Sequence, residues 1–322
     1  RKYAEKPEFT WQWDVIRKYP KQFEAYFNDH FGCRNGLIRM KTSLTVRYLD
    51  AVSSPQVMKG KKGWLFYTGD EVLENCCYAN VPFANKQLAQ WQRSLEEKQE
   101  WFAKEGIRFL LVIVPNKHTI YAEYLPSWIS RVGEKSRLDQ FVEHMKANSE
   151  VEIVDLREVL FPAKQRCRLY HRSDTHWNDY GAFIAYQEIM LRLSRWFPGA
   201  KPIPESEFIR KKEIGLGGDL AMMLGQEHSI EEERWTMTPK TKRHGRKVPP
   251  GKTLLTLRPW KEDKKPLAFG SPFGQISRAV FVGDSMMFSL APFILQHFGR
   301  LVIVFEVTID RELIALERPD VV

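Results

Sequence analysis

Two short stretches carry the residue types that acyl-transfer chemistry needs. One is Ser173-Asp174-Thr175-His176-Trp177-Asn178, and the other, far downstream, is Val282-Gly283-Asp284-Ser285-Met286. A serine hydroxyl becomes a nucleophile when an imidazole takes its proton and a carboxylate fixes the imidazole's tautomer. Asp174 and His176, two residues apart, can both be delivered from one loop, with Ser285 arriving from another strand end. Each residue also has a plainer reading. Gly-Asp-Ser often begins an ordinary helix, Asp174 suits a helix-proximal cap, and His176 suits a hydrogen-bonded packing residue. The pairing across the chain is what raises the catalytic reading above these.

Positioning such a set requires strand ends and helix starts, and the pattern supplies them. Ala279 to Val282 is an apolar, strand-like lead-in, Gly283 permits a sharp turn, and Met286, Met287, Leu290, Phe293, Ile294 and His297 follow at helical spacing. A serine there sits at the carboxyl end of a sheet with a helix N-terminus behind it, which favours developing negative charge. Asn178 reads as the cap of a helix over Gly181 to Phe197. Upstream, Asn85 to Gly106 is an amphipathic helix and Ile107 to Val114 a buried strand. Pro115-Asn116-Lys117-His118 forms a loop at that strand's carboxyl end. A helix around Ser136 to Ala147 and a strand over Val151 to Leu156 follow. Leu301 to Phe305 and Asp320 to Val322 read as closing strands. The alternation predicts a three-layer α/β fold with a mainly parallel sheet.

The ends of this pattern are less regular. Residues 1–20 read as an extended, aromatic lead, with helices over Lys21 to His30 and Asn35 to Leu49 and a strand over Gly63 to Tyr67. Residues 201–275, rich in Pro, Lys and Gly, break the rhythm. They read as a long irregular insertion with one short helix at Gly218 to Leu224, shaping a substrate surface. The whole, 1–322, is expected to be one domain with a helical lead over 1–60.

The chain carries a net charge of +9, with basic clusters at Lys59 to Lys62, Lys240 to Lys252 and Lys261 to Lys265. Singly these are solvated loops; together they favour an anionic partner such as an acidic polysaccharide or a phospholipid surface. They lack interleaved aromatics and no nucleic-acid motif occurs, which sets nucleic acid aside. No apolar run reaches the ~18 residues of a membrane span. The chain starts at Arg1, as a trimmed or mature form does, so an anchor or signal peptide would lie outside it. Cys33, Cys76, Cys77 and Cys167 form no metal-type pair of pairs. The adjacent Cys76 and Cys77 would each need a distant partner, which Cys33 and Cys167 can be in an oxidising compartment; four reduced thiols fit as well.

An ordered series of motifs then becomes informative: Lys62-Gly63-Trp64-Leu65-Phe66-Tyr67, Val114-Pro115-Asn116-Lys117, Asp174-Thr175-His176-Trp177-Asn178, Gly218-Asp219-Leu220, Gly283-Asp284-Ser285 and Arg318-Pro319-Asp320-Val321-Val322. This series resembles the SGNH-hydrolase-like domain of the alginate O-acetyltransferase family (AlgJ/AlgX-like). The resemblance implies a flavodoxin-like SGNH fold, permuted so that the Asp-x-His element precedes the serine. It also implies Ser285 as nucleophile, His176 as general base and Asp174 as its orienting partner. An exported exopolysaccharide would be the acceptor, and a membrane-bound O-acyltransferase the source of acetyl groups. No cofactor or metal is implied, and the location implied is periplasmic or otherwise extracytoplasmic. The Gly-x-Asn-Asp block that gives common SGNH enzymes an oxyanion-hole asparagine is missing. The Ser285 N–H is therefore the first oxyanion donor, with Asn116 and the adjacent Lys117 as oxyanion or substrate contacts. Two rivals stay open. One is an acetylesterase with the same triad, including a metal-assisted variant using His171, Asp174 and His176. The other is a catalytically idle polysaccharide-binding scaffold.

Overall fold

The computed structural model of the protein describes residues 4–30, 54, 56–69, 82–129, 133–241, 245–251, 254–255, 257 and 265–322. The expected helix over Asn35 to Leu49, and Cys33, Cys76 and Cys77, lie outside these residues, as does most of the Lys261 to Lys265 cluster. Cys167 is a buried free thiol.

The sheet is assembled around the last few residues of the chain. β3 (Leu111–Ile113) pairs in parallel with β4 (Ile153–Asp155), and β9 (Ile276–Val282) pairs in parallel with β10 (Phe298–Val304). Val321 bridges in parallel to Arg108 on one side and to Ala279 on the other, joining the two halves. Its neighbours complete the ladder, the Leu110 and Arg108 N–H groups donating to the carbonyls of Val322 and Asp320 at 2.9 Å each. Beyond β10, β8 (Leu267–Gly270) and β7 (Arg246–Val248) add antiparallel strands at the edge. The parallel centre matches the sequence expectation, and the closing strand at Asp320 to Val322 lies in the middle of the sheet.

Alternation along β10 divides the core. Leu301 and Ile303 face a cluster containing Phe183, Tyr186 and Met190 of α6 (Asp179–Trp196) and Phe293 of α8 (Met287–Ile294). Val302 and Val304 face the opposite cluster, with Phe102 of α2 (Asn85–Lys104) and Leu313 and Ile314 of α9 (Arg311–Glu317). Helices on both faces of the sheet give the three layers expected. The boundaries are set locally. Gly106 takes φ 72° just past α2, a conformation glycine adopts without strain. Ser136 and Asp139 form a capping box at the start of α4 (Arg137–Asn148). Asn178 accepts the Gly181 N–H at 3.0 Å to cap α6.

Two expectations need correction. α1 (Trp13–His30) takes in much of the segment read as extended, because its aromatic residues recur on a helical face, with Tyr19 stacked on Phe23 and Phe23 on Phe27. The described residues within 201–275 are not uniformly irregular. β5 (Phe208–Leu216) and β6 (Glu231–Pro239) form a nine-residue antiparallel ribbon, and α7 (Asp219–Met223) lies between them. The run of four charged residues from Arg210 to Glu213 hid the period of β5 from a hydrophobicity reading, since the ribbon is solvated on much of its surface. The expected strand at Gly63 to Tyr67 is present as β2 (Leu65–Tyr67), paired antiparallel to β1 (Val57–Lys59).

The central position of Val321, only 1% exposed, makes a direct check. Val321→Asp buries an unpaired charge between two ladders and is expected to destabilise the protein by at least about 3 kcal/mol in urea unfolding.

Candidate active site

Ser285 follows β9 directly. Gly283 N–H still bonds the Val304 carbonyl at 3.1 Å, and the chain then turns into α8. Asp284 accepts the Met286 N–H at 2.9 Å, which fixes the turn and leaves Ser285 exposed at the carboxyl edge of the sheet. Here the Ser285 hydroxyl meets His176: Oγ lies 2.7 Å from Nε2. On the other side of the ring, Nδ1 is 2.7 Å from Asp174 Oδ1. The three residues named from the sequence are therefore brought into one hydrogen-bonded line, with Ser285 joined to His176 across 109 positions of chain.

The loop carrying Asp174 and His176 is closed at its base by the Tyr170–Trp177 bridge. Tyr170 donates to the Pro115 carbonyl at 2.5 Å, tying the loop to the end of β3. The Trp177 indole N–H donates to the Met286 carbonyl at 3.1 Å, tying it to the turn that carries Ser285. Beneath the loop sits Lys117, only 3% exposed. Its ammonium donates to the carbonyls of Asp174 at 2.6 Å and of His171 and Arg172 at 3.2 Å each. It also lies over the rings of Trp64 and Phe66, at 5.7 and 5.3 Å from their centroids. Burial lowers its pKa to about 7, against the pull of Asp174, Asp219 and Glu232. Lys117, expected as an oxyanion or substrate contact, is instead spent on the loop backbone. Asn116 is exposed just ahead of α3 (Lys117–Ile120), and its side chain does not cap that helix.

Glu232 of β6 does the complementary work. Buried to 1% exposure, it accepts the Ser173 N–H and hydroxyl at 2.7 and 2.5 Å and the Arg172 N–H at 3.2 Å. His171 Nδ1 lies 3.9 Å from Glu232, and the structure does not bring His171 into the Asp174–His176–Asp219 cluster. Asp219, at the start of α7, enters instead. Its N–H donates to Asp174 Oδ2 at 3.0 Å, and its carboxylate accepts the Thr175 N–H at 2.7 Å and the Thr175 hydroxyl. Sequence reading noted Gly218-Asp219 within a motif series and assigned it no role; nothing in the sequence pointed to Glu232.

Electrostatics separates these groups. Burial raises the Asp174 carboxyl, but hydrogen bonds from the His176 ring, the His176 N–H and the Asp219 N–H outweigh it and hold it well below the usual carboxylate range. Asp219 is pushed up by burial and by Asp174 beside it. His176 is raised, first by its hydrogen bond to Asp174. Asp174, His176 and Asp219 present ligand-type atoms within 4.8 Å of one another. Those atoms are already engaged by N–H and O–H donors, and the set holds only one imidazole. The donor chemistry therefore suits a supported general base better than a metal. The Ser285 N–H has no acceptor among the described residues and stands beside the Ser285 hydroxyl, where an oxyanion donor would be needed if that hydroxyl attacked a carbonyl.

Comparison with known proteins agrees with this architecture. Residues 57–261, more than half of the chain, match the family described as "SGNH hydrolase-like domain, acetyltransferase AlgX". The chain is 27% identical over 181 residues to the probable alginate O-acetylase AlgJ of Pseudomonas syringae pv. tomato, covering 56% of this chain and 44% of that one. It spans about half the length of the curated relatives it matches. In fold it is similar to Bacillus cereus PatB1, with a TM-score of 0.57 at 15% identity over 82% of this chain and 93% of that one. It is also similar to the O-acetyltransferase domain of Pseudomonas putida AlgJ, with a TM-score of 0.52 at 20% identity over 83% and 89%. The family match ends before Ser285, so the hydrogen bond to His176 is what attaches the serine to the matched region.

Gly218 checks the geometry independently. A Cβ there would run into the Asp174 side chain, so Gly218→Ala must displace that carboxylate. If Asp174 orients His176 for acyl chemistry, acetyl-ester turnover is expected to fall about 100-fold in Gly218→Ala, mostly in kcat, because a small misplacement of such a group has that effect. The motif order, the three-layer fold and the matched span together establish that the chain belongs to the SGNH hydrolase-like, AlgX-type acetyltransferase family.

Proposed function

We propose that the protein is a polysaccharide O-acetyltransferase working through an acetyl-serine intermediate, with Ser285 as nucleophile, His176 as general base and Asp174 as its orienting carboxylate. The observation that carries this reading is the unbroken line from Ser285 Oγ to His176 Nε2 and from His176 Nδ1 to Asp174 Oδ1, 2.7 Å in each step. Ser285 gives its proton to His176 as Oγ attacks the acetyl carbonyl of the donor. The tetrahedral oxyanion is met by the Ser285 N–H, with Asn116 as the proposed second contact. Collapse expels the donor's oxygen, which takes the proton from His176. A sugar hydroxyl then gives its proton to His176 and attacks acetyl-Ser285, and the serine leaves with that proton restored.

The acceptor we infer is an exported, alginate-like polysaccharide. The names of the curated relatives support this, as does a net charge of +9, which suits a uronate-bearing chain. We infer further, from the family resemblance, an extracytoplasmic location and a membrane-bound O-acyltransferase as the source of acetyl groups. Among the described residues no helix is long and apolar enough to cross a membrane. A second reading, acetylesterase, is favoured by one feature: Ser285 is exposed, so water can reach an acyl-enzyme as readily as a sugar can.

Intact-mass measurement after exposure to a generic acetyl ester tests the reading. Wild type is expected to show an acetyl adduct or rapid turnover, and Ser285→Ala neither; an adduct that persists in Ser285→Ala removes the serine from the mechanism. Adding an unacetylated uronate polymer then separates transferase from esterase by where the acetyl goes. The pH profile gives a further check. The base must be neutral to act, and its pKa is raised above 6.5, so the acid limb of kcat/KM is expected to inflect on the alkaline side of that value.

A further inference from the structure

We propose that Asp219 is a second carboxylate partner of His176, a positioning residue that shares the Nδ1 edge of the ring with Asp174. The inference rests on the serine mechanism proposed above and extends it to a segment the sequence reading treated as a surface excursion.

Three oxygen atoms surround Nδ1. Asp174 Oδ1 lies at 2.7 Å, Thr175 Oγ1 at 3.2 Å and Asp219 Oδ2 at 3.5 Å. The Thr175 hydroxyl donates its proton to Asp219, so toward Nδ1 it can only accept. All three oxygens therefore favour the tautomer with the proton on Nδ1, which leaves the Nε2 lone pair facing Ser285. Asp219 is itself held from two sides, by the Thr175 N–H and by its own N–H to Asp174 Oδ2 at 3.0 Å. The two carboxylates and the ring thus lock one another. When Ser285 attacks, the imidazolium forms between two negative charges instead of one, and it forms again when the acceptor hydroxyl is deprotonated.

The plainer account makes Asp219 only the first residue of α7, anchoring Thr175. That account explains the Thr175 contacts but not the approach of Oδ2 to Nδ1, which is the ion-pair contact recorded for Asp219 among the described residues. Other charges also face His176: Asp284 from the nucleophile turn, with Lys117 and Glu232 acting from beneath the loop through Asp174 and Ser173. They remain in place in the variants below, so a change on altering Asp219 reports on Asp219.

The test is the titration of the His176 ring, followed by NMR of its carbon-bound protons in a Ser285→Ala background. That readout needs no activity. Asp219→Asn is expected to lower the His176 pKa by about one unit, and Asp219→Glu to restore most of it. With Ser285 intact, the acid limb of ester turnover should move the same way in Asp219→Asn. Asp174→Asn/Asp219→Asn should lose about a further tenfold relative to Asp174→Asn, as Asp219 no longer supports the ring. An unchanged His176 pKa in a folded Asp219→Asn protein overturns the proposal, even if turnover falls, and leaves Asp219 as a helix anchor. If Ser285→Ala keeps wild-type turnover, the serine mechanism fails while the ring titration still decides whether Asp219 and His176 are coupled.

Discussion

The active-site loop is irregular backbone at the mouth of a sheet, and its polar groups must be satisfied without a ladder to join. Two buried charges solve this. Lys117 takes the carbonyls of His171, Arg172 and Asp174, and Glu232 takes the N–H groups of Arg172 and Ser173. One cation collects the acceptors and one anion collects the donors, so the loop is held by its main chain while the Asp174 and His176 side chains stay free for each other. The arrangement is costly to break from either side, because removing Lys117 strands the loop carbonyls it collects and removing Glu232 strands the loop N–H groups and the Arg168 guanidinium that it pairs. The aromatic hairpin strand β2 belongs to the same device: Phe66, with Trp64 just before the strand, forms the apolar floor over which the ammonium sits.

A parallel sheet delivers its strand ends to one edge, and every part of the site comes from that edge or is tied to it. The end of β3 supplies Lys117, and the end of β9 supplies Ser285. The loop between them is fixed to the first by Tyr170 and to the second by Trp177. The Trp177 contact sets the spacing between the His176 loop and the Ser285 turn through a backbone carbonyl. Side-chain packing then maintains that spacing, with Trp177 only 1% exposed.

The β5–α7–β6 segment is built into the site, which changes how its chemistry reads. It brings one buried carboxylate, Glu232, that holds the loop, and one half-exposed carboxylate, Asp219, that faces the ring. Asp174 is held ionised by three N–H donors, whereas Asp219 is pushed toward protonation by burial and by Asp174. Both carboxylates nevertheless lie on the Nδ1 side of His176, Asp174 Oδ1 at 2.7 Å and Asp219 Oδ2 at 3.5 Å. Ser285 remains open to solvent, so in the proposed mechanism the choice between a sugar and water lies in what covers the site when an acceptor binds.

Much of this was legible in the residues themselves. Gly283-Asp284-Ser285 after an apolar run, Asp174-x-His176 before a capped helix, and the alternation of amphipathic and apolar segments are local patterns. Local patterns survive in one dimension because they reflect turn geometry, capping and 3.6- or 2-residue periods. The strand within Gly63 to Tyr67 and the Asn178 cap were readable for the same reason. The rest was not local. Lys117 looked like a loop cation that could meet a substrate, and only its burial under the loop shows otherwise. Asp219 and Glu232 follow Asp174 by many residues with no periodic relation to it, and β5 carries too many charges to announce itself as a strand. The linkage of the two sheet halves through Val321 depends on pairing between distant segments. Sequence therefore determined which groups were able to do chemistry and which amphipathic and apolar segments would carry them. Tertiary structure decided which charges are buried, and burial is what turns a lysine into a backbone clamp and sets two aspartates against one histidine.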